Sequence, residues 1–568
     1  MSQTFDFILI GAGHNGMTCA AYLAKAGYSC LVLERRSKIG GCATTEEAMP
    51  ETAPGFKFNL CAIDHEFIHL GPVLRELKLE HYGLEYLWCD PTVFCPHPDG
   101  SFFLAWQDVE RTCKEIERFS PRDAVAYRDF ISYWQRAMRL FATTFNAAPQ
   151  SIPGILRNFN PTVINDLFDL ADGPTGILEF ARRMVTSPQN LINEWFDAEF
   201  IKAPIARLAA ELGAPPSEKG IAFGVTMLAM RHGPGMSRPR GGTGMLTEAL
   251  GALLIDLSVE ILTDAPVDRI LVDNTGRAVG VRTQAGQEYQ CKMGVISNLD
   301  AVQLFNKLLD PADAEAWAEG VTGRLNRKVV NNNESVMKID CALSEPPRFS
   351  AWGHQDDWLI GSLLIADSVE HVERAHQEPL QGKIPDDPSL YVVVPTVLDP
   401  SMAPPGKHTL WIEFFAPWEI TQGPDRDWGL IKEKIADRCI DKLAQYCPNL
   451  KSSIMARRVE SPVELAARTA TLKGNFYHMD MTVEQMLFFR PLPELANYKT
   501  SITGLYLTGA GTHPGGSISG MPGRNCAHAI LREHRSFTRP RIVRKVSKRV
   551  KYFAMQAAFR AGVDVSNL

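Results

Sequence analysis

Residues 64–71 read DHEFIHLG, and His65-Glu66-Phe67-Ile68-His69 within them matches the H-E-x-x-H pattern of zinc peptidases. On a helix, this spacing places two imidazoles on one face as zinc ligands, with the glutamate as general base. Gly71 and Pro72 end the helical pattern soon after His69, however, and no third ligand follows at a suitable spacing. We therefore predict no metal site here, and we interpret the two histidines as hydrogen-bonded residues near a substrate cavity.

A second motif with chemical potential is a G-x-G-x-x-G sequence near the N-terminus. The apolar run at residues 5–10 predicts a buried strand, and a helical pattern follows the glycines as far as Gly27. A second strand at 30–33 leads to Glu34. This order is typical of a Rossmann unit, in which the helix N-terminus faces a pyrophosphate and the acid accepts ribose hydroxyls. The motif itself consists of Gly11, Ala12, Gly13, His14, Asn15 and Gly16.

The residues after Glu34 favour FAD over NAD(P). They read E-x-R-x-x-x-G-G and then Cys-Ala, which resembles the FAD fingerprint of the amine oxidase and phytoene desaturase superfamily, although that family usually carries arginine where Cys42 stands. A disulfide reductase would need a second cysteine a few residues after Cys42, and residues 43–46 contain none, so thiol redox chemistry is excluded at this position. The resemblance implies cofactor contacts from Arg35, Arg36, Gly40, Gly41, Cys42 and Ala43.

The segment 503–528, TGLYLTGAGTHPGGSISGMPGRNCAH, predicts a short strand, a glycine-rich loop and a helix with Pro522 in its first turn. It resembles the C-terminal flavin motif of carotenoid desaturases. That resemblance places His513 beside the flavin, either as a catalytic residue or as a hydrogen-bonding member of the loop. It further implies cofactor contacts from Val267, Asn298, Gly509, Ala510, Gly520 and Met521, and a substrate pocket edged by Arg240, Gly242 and Pro514.

These motifs lie in three separate stretches of the chain, which predicts an α/β fold with a discontinuous FAD-binding domain. We assign residues 1–70, 225–300 and 490–535 to a Rossmann-type domain. Residues 71–224 and 301–489 would form an interleaved substrate domain, with a mixed sheet and capping helices of α+β type. Apolar stripes in the predicted cap helices are either plain core or the lining of a pocket for a long apolar substrate.

The composition excludes several classes of protein. With 45% hydrophobic and 22% charged residues and a net charge of −6, the chain is typical of a soluble or surface-attached protein and gives no reason to expect nucleic acid. No apolar run approaches the roughly 18 residues of a membrane span. The 12 scattered cysteines indicate a reducing compartment. The 14 histidines form no cluster that would suit a di-iron centre, so we expect a flavin to be the oxidant.

Over nearly the whole chain the sequence resembles the CrtO-type β-carotene ketolases. The resemblance rests on GFKFNLCAIDHEFIHLGP, VFCPHPDG, LAAELGAPPSEKG and RPRGGTGML. It implies FAD as cofactor and β-carotene as substrate, with oxidation of the allylic C4 methylene of the β-ionone ring to a ketone, which gives echinenone or canthaxanthin. A carotenoid desaturase or isomerase and a retinol-saturase-like flavoenzyme are alternatives. A non-catalytic lipid carrier, like the Rab GDP-dissociation inhibitors, is an alternative from another class.

The C-terminal segment, residues 536–568, is basic and predicts an amphipathic helix. Ile542, Val546 and Val550 recur at helical spacing among many lysines and arginines. Such a helix either contacts a membrane surface or packs on the FAD domain with its basic face in solvent. Because a carotene-consuming enzyme must reach the bilayer, we expect peripheral contact with the cytoplasmic side of a membrane.

We predict that residues 539–560 hold the protein on an anionic bilayer. Changing Arg544, Lys545, Lys548 and Arg549 to glutamate should release the protein from anionic liposomes, because each basic residue near such a surface contributes about 1 kcal/mol. Co-sedimentation measures the effect, with neutral liposomes and an unchanged flavin spectrum as controls. A reversed variant that co-sediments like the parent would identify the segment as a packed helix.

Overall fold

The structure is a computed structural model that describes residues 4–149, 164–166, 168, 170, 174–349 and 356–537. The predicted basic helix lies outside the described residues from position 538 onwards. Among the helices that are described, none combines the length and the hydropathy needed to span a bilayer.

A seven-stranded sheet carries the glycine-rich turn. Thr4–Ile10 lies between Cys30–Leu33 and Glu288–Ser297, and it is parallel to both. Glu288–Ser297 also pairs in parallel with Leu505–Leu507, so strands from the two ends of the chain flank one central strand. The sheet is completed by Glu260–Leu262, which is parallel to Cys30–Leu33, and by Val267–Val272 and Ala278–Thr283, an antiparallel pair joined to the other end of Glu288–Ser297.

Two helices bring their N-terminal ends together over this sheet. His14–Lys25 begins directly after Gly13, and Met521–Phe537 packs against it. A Cβ atom added to Gly523 would lie 2.1 Å from the carbonyl oxygen of Asn15, so this approach requires glycine. Both N-terminal ends carry unpaired N–H groups and partial positive charge. The sheet edge next to them is therefore suited to an anionic ligand.

A second seven-stranded sheet is mixed and belongs to the other half of the protein. All neighbouring strands in it are antiparallel except Ser362–Ile365 and Val93–Pro96. Together with the parallel sheet it confirms the predicted α/β class with a mixed second sheet. Its strands follow the order Ile454–Glu460, Glu334–Leu343, His408–Pro417, Leu390–Val393, Ser362–Ile365, Val93–Pro96 and Phe102–Ala105. Two short ribbons pair Thr45–Glu46 with Phe58–Asn59 and Tyr86–Trp88 with Ser237–Pro239.

A group of helices caps the mixed sheet. The hydroxyls of Ser120 and Ser187 accept hydrogen bonds from the N–H groups of Asp123 and Asn190, which fixes two helix starts. The apolar stripe that includes Trp134 is mostly core. The cap helices are Val109–Glu117, Pro121–Phe145, Pro174–Val185, Pro188–Trp195, Glu199–Ala209 and Thr226–His232. The other α-helices are Val73–Leu77, Gly244–Asp256, Ala301–Gln303, Pro311–Trp317, Val321–Lys328, Val369–Leu380, Pro395–Leu398, Trp428–Ala444, Leu450–Ser453 and Pro462–Thr469.

Candidate functional site

The glycine-rich turn and Glu34 form one hydrogen-bonded unit. Gly11 has φ of +94°, a conformation that other residues rarely adopt, and it starts the turn. The carboxylate of Glu34 accepts the N–H of Ala12 and the N–H of Arg36, each at 2.9 Å. These two bonds leave further lone pairs of the carboxylate for other donors. Glu34 is therefore held in place to accept the hydroxyls of a ribose.

A cavity of about 590 Å³ lies over this turn. Many of the predicted cofactor residues come together on its wall, from the N-terminal, middle and C-terminal segments. They are Gly11, Gly13, His14, Asn15, Glu34, Arg35, Arg36, Gly41, Cys42, Val267, Asn298 and Ala510. The predicted residues Ala12, Gly16, Gly40, Ala43, Gly509 and Gly520 are not on this wall, and Met521 lines the neighbouring cavity instead.

Several polar atoms on this wall are buried without a hydrogen-bond partner in the protein. Such atoms are rare in folded proteins because desolvation is costly, so a cluster of them indicates a polar ligand. FAD fits this set: the two guanidinium groups suit the pyrophosphate, and the amide and imidazole atoms suit the ribityl and ring-edge polar groups. The atoms are His14 Nε2, Asn15 Oδ1, Arg36 Nη1, Asn298 Oδ1, Arg468 Nη1 and His478 Nδ1.

Part of the wall comes from a segment that the sequence motifs did not indicate. Arg468 lies in the last turn of the helix Pro462–Thr469. Its Nε and Nη2 donate to Glu460, and Nη2 also donates to the carbonyl of Leu60 at 2.9 Å. Arg35 Nη2 donates to the carbonyl of Arg468 at 2.7 Å, which holds the segment against the glycine-rich turn. The segment contributes Ala467, Arg468, Thr469, Ala470, Thr471, Phe476 and His478. The only local signal is the capping box at Ser461, which predicts the helix but not its position.

A second cavity, of about 180 Å³, adjoins the first and shares His14, Cys42, Phe476 and Ala510 with it. Its volume suits a ring-sized group. Most of its wall is apolar, with Phe67, Leu70, Phe145, Leu212, Phe223, Met227, Met481, Ile518 and Met521. One side is ionisable and consists of Asp64, Glu66, Glu211, Arg231, Tyr391 and Glu413. The cavity therefore combines an apolar chamber with one polar wall beside the proposed flavin site.

The H-E-x-x-H residues do not share a helix face. A short 3-10 helix begins only at Phe67, and the three polar side chains bond to different partners. His65 contacts the hydroxyls of Tyr86 and Thr243, His69 Nε2 lies 2.6 Å from Ser237 Oγ, and Glu66 accepts from Arg231 Nε at 2.6 Å. Burial lowers the pKa of His65 to about 3 and that of His69 to about 4, so both rings are neutral. Each side chain is thus engaged within the protein.

The structure places the predicted catalytic residue, His513, behind the flavin loop. Its Nε2 donates to the carbonyl of Thr144 at 3.0 Å, and the ring lies on the wall of neither described cavity. Burial lowers the pKa of His513 to about 4, so the ring is neutral. Of its two predicted roles, this geometry favours positioning of the loop. The adjacent Pro514 does line the smaller cavity, as expected of a substrate residue.

The structure places Arg240 and Gly242, the residues predicted to edge the substrate pocket, in contacts away from the two described cavities. Arg240 forms an exposed ion pair with Glu85 at 2.8 Å. A Cβ atom on Gly242 would lie 2.4 Å from Thr45 Oγ1, so this glycine serves a close backbone contact. Neither residue is on a wall of the two described cavities. The glycines at 241–244 therefore allow the helix Gly244–Asp256 to pack closely on the ribbon of Thr45–Glu46 and Phe58–Asn59.

Replacing Glu34 with glutamine should weaken FAD binding by about 10- to 100-fold. The amide would turn a donor toward one of two backbone N–H groups, and a hydrogen bond to a charged acceptor is worth about 1.5–3 kcal/mol. Fluorescence titration of flavin-free protein with FAD measures the dissociation constant. Glu47→Gln, at an exposed carboxylate nearby, is the matched control. Equal affinities of the two variants would contradict the assignment of Glu34.

Comparisons with known proteins agree with this geometry. The profile of the flavin containing amine oxidoreductase family matches residues 16–531. A mouse (Mus musculus) protein named pyridine nucleotide-disulfide oxidoreductase domain-containing protein 2 is 29% identical and covers 94% of both chains. One of the polypeptides of the limonene dehydrogenase of Castellaniella defragrans is 28% identical and covers 93% of this chain and 94% of its own. The lycopene-forming phytoene desaturase of Pantoea ananas is 26% identical, with coverage of 92% and 98%.

Solved structures show the same fold. A redesigned putrescine oxidase superposes with a TM-score of 0.59 at 13% identity and covers 94% of this chain and 100% of its own. The family match over most of the chain and the donor set of the larger cavity together establish FAD as the cofactor. The chain belongs to the flavin containing amine oxidoreductase family and is a flavin-dependent oxidoreductase.

Proposed function

We propose that this protein is a β-carotene 4-ketolase, which oxidises the allylic C4 methylene of a β-ionone ring to a ketone and so forms echinenone or canthaxanthin. One observation carries the proposal. The ring-sized cavity beside the flavin site is apolar on most sides and ionisable on one side. Such a chamber suits the ring end of a hydrocarbon that acquires an oxygen atom.

The relatives support an isoprenoid substrate. By their names, limonene dehydrogenase acts on a cyclic terpene and the phytoene desaturases act on a carotenoid precursor. Bound FAD supplies the hydride acceptor for such reactions. Loss of hydride from C4 would give a cation that spreads along the conjugated polyene. Addition of water to C4 with loss of a proton would give the alcohol, and loss of a second hydride from C4 together with the hydroxyl proton would give the ketone. Each hydride would pass to oxidised FAD, and an external electron acceptor would regenerate it between the two steps. The apolar walls formed by Phe67, Phe145 and Phe223 suit the hydrocarbon part of the ring.

The ionisable wall favours a ketolase over a desaturase. A desaturase handles hydrocarbons at every stage, whereas the alcohol and ketone of a ketolase require hydrogen-bond donors. Burial raises the pKa of Glu413 to about 8, and the nearby charge of Glu211 adds to the shift. The Glu413 carboxyl is therefore protonated at neutral pH and can donate a hydrogen bond into the cavity. We propose that the protonated Glu413 carboxyl donates a hydrogen bond to the oxygen that the ring acquires.

We also propose that the substrate comes from the bilayer. A carotenoid is almost insoluble in water, and the basic segment 539–560 would keep the protein as a peripheral protein on the cytoplasmic face of a membrane. The liposome experiment with reversed charges tests this part of the proposal separately from the chemistry.

Expression in cells that accumulate β-carotene should convert it to echinenone or canthaxanthin. The measurement is mass spectrometry of the extracted pigments, with the Glu34→Gln variant as a cofactor-deficient control. New double bonds without oxygen would identify a desaturase, and rearranged isomers an isomerase. If the protein is loaded with flavin and the pigment is unchanged, the protein has no activity on this substrate. A non-catalytic lipid carrier would give this result.

Ketone formation should fall as the pH rises through about 8, because Glu413 then loses the proton that it donates. The folded-state pKa of Glu413 is raised, so the donor is present below that value and lost above it. Glu413→Gln keeps a donor that does not titrate. Its pH profile, measured by pigment analysis with carotene-loaded vesicles, should stay flat up to pH values where the parent has lost most activity. The same decline in both proteins would contradict the role of Glu413.

A further inference from the structure

Cys42 and Cys61 are not neighbours in the chain, but both lie beside the flavin site. The N–H of Ala62 donates to the carbonyl of Cys42 at 3.1 Å, and this bond extends the ribbon of Thr45–Glu46 and Phe58–Asn59. The ribbon brings Cys61 against Cys42 in one packed cluster, and the two thiols interact. No second cysteine lies within a few residues of Cys42 along the chain, so the sequence alone indicates no thiol pair here. The fold supplies the second cysteine from the segment that follows the opposite strand, Phe58–Asn59.

A small molecule in either cavity could contact this pair. Both cysteines line the ring-sized cavity, and Cys42 also lines the FAD cavity. Arg36 and Arg468, which face the FAD cavity, lie close enough to influence the thiol. The hydrogen bond from the Cys61 thiol and the charges of these two arginines lower the pKa of Cys42 against the opposing effect of burial. A lowered pKa and access from a cavity are the two properties that distinguish reactive cysteines from inert buried ones.

A second cysteine pair provides a contrast within the same chain. Cys19 lies in the helix His14–Lys25 and Cys526 in the helix Met521–Phe537, and their thiols also interact where the two helices pack together. Both are completely buried, and neither lines a described cavity. Burial and the interaction with Cys526 raise the pKa of Cys19 well above its usual value. We expect this pair to be inert.

We propose that Cys42 and Cys61 form a redox-active pair that a hydroperoxide oxidises to a disulfide in the wall between the two cavities. The Cys42 thiolate attacks the terminal oxygen, the O–O bond breaks, and the leaving group departs as an alcohol or water after taking a proton. The Cys61 sulfur then attacks the resulting sulfenic acid, the S–O bond breaks, and water leaves. Two thiols lose two electrons in total, and one hydroperoxide gains them.

The smallest member of this reagent class, hydrogen peroxide, forms wherever a reduced flavin is reoxidised by dioxygen. The disulfide would remove the reactive thiol from the flavin site and would covalently link the two segments that flank the ribbon. The pair would thereby respond to peroxide that arises at the site itself. This inference concerns the thiols alone and does not depend on which substrate the enzyme oxidises.

The test is treatment of the FAD-loaded protein with a small excess of hydrogen peroxide, followed by thiol counting and peptide mapping. Two of the 12 thiols should be lost, and dithiothreitol should restore them. Cleavage after lysine and arginine separates Cys42, in peptide 39–57, from Cys61, in peptide 58–75. Mass spectrometry should therefore detect these two peptides joined by a disulfide. In Cys61→Ser, Cys42 should instead be trapped as sulfenic acid by a 1,3-dione probe.

The Cys19 and Cys526 peptides serve as the internal control, and Cys526→Ser is the matched variant. Linkage between 39–57 and 58–75 should be unaffected by this change. Retention of all thiols, or joining of the Cys19 and Cys526 peptides at the same peroxide dose, would overturn the proposal. So would oxidation of Cys42 in the parent protein without linkage to Cys61. The flavin absorbance of each variant shows whether it is folded and loaded.

Discussion

The contact of three chain segments at Asn298 is the constraint on which the rest of the site depends. Asn298 follows the long central strand, and the N-terminal turn and the C-terminal flavin loop both close on its side chain. A Cβ atom on Gly13 would lie 2.8 Å from Asn298 Nδ2, and one on Gly509 would lie 2.8 Å from its Oδ1. Any side chain larger than hydrogen would separate the segments. The glycines are thus required for packing as well as for the approach of a pyrophosphate.

A buried arginine joins the flavin loop to the substrate half. Arg490 is fully buried, and its guanidinium donates to the carbonyl of Ala510 at 2.9 Å and to that of Tyr477 at 2.7 Å. Burial lowers the pKa of Arg490 to about 9. Because Ala510 and Tyr477 both line the ring-sized cavity, one side chain sets the spacing of two of its walls. Removing one partner of such a buried network leaves several carbonyls without donors.

The ring-sized cavity brings two kinds of chemistry close to the flavin. Its ionisable wall is buried, and this burial raises the pKa of Glu413 to about 8. The Cys42 and Cys61 pair lines the same cavity, and Cys42 also lines the FAD cavity. Arg468, from a helix distant in the chain, places a cation close to Cys42.

The sequence alone determined the features that depend on short stretches of chain. The strand, turn and helix around Gly11, the acid Glu34 and the helix after Gly520 were predicted because each follows from local backbone geometry or spacing. The tertiary structure decided which distant residues complete the site. Arg468 reaches the flavin cavity through the packing of a helix, and Cys61 reaches Cys42 through ribbon pairing. Neither contact leaves a local pattern, because each depends on the sheet order and on the burial of side chains that are remote in the chain. Burial also sets the pKa of Glu413, which no sequence spacing encodes.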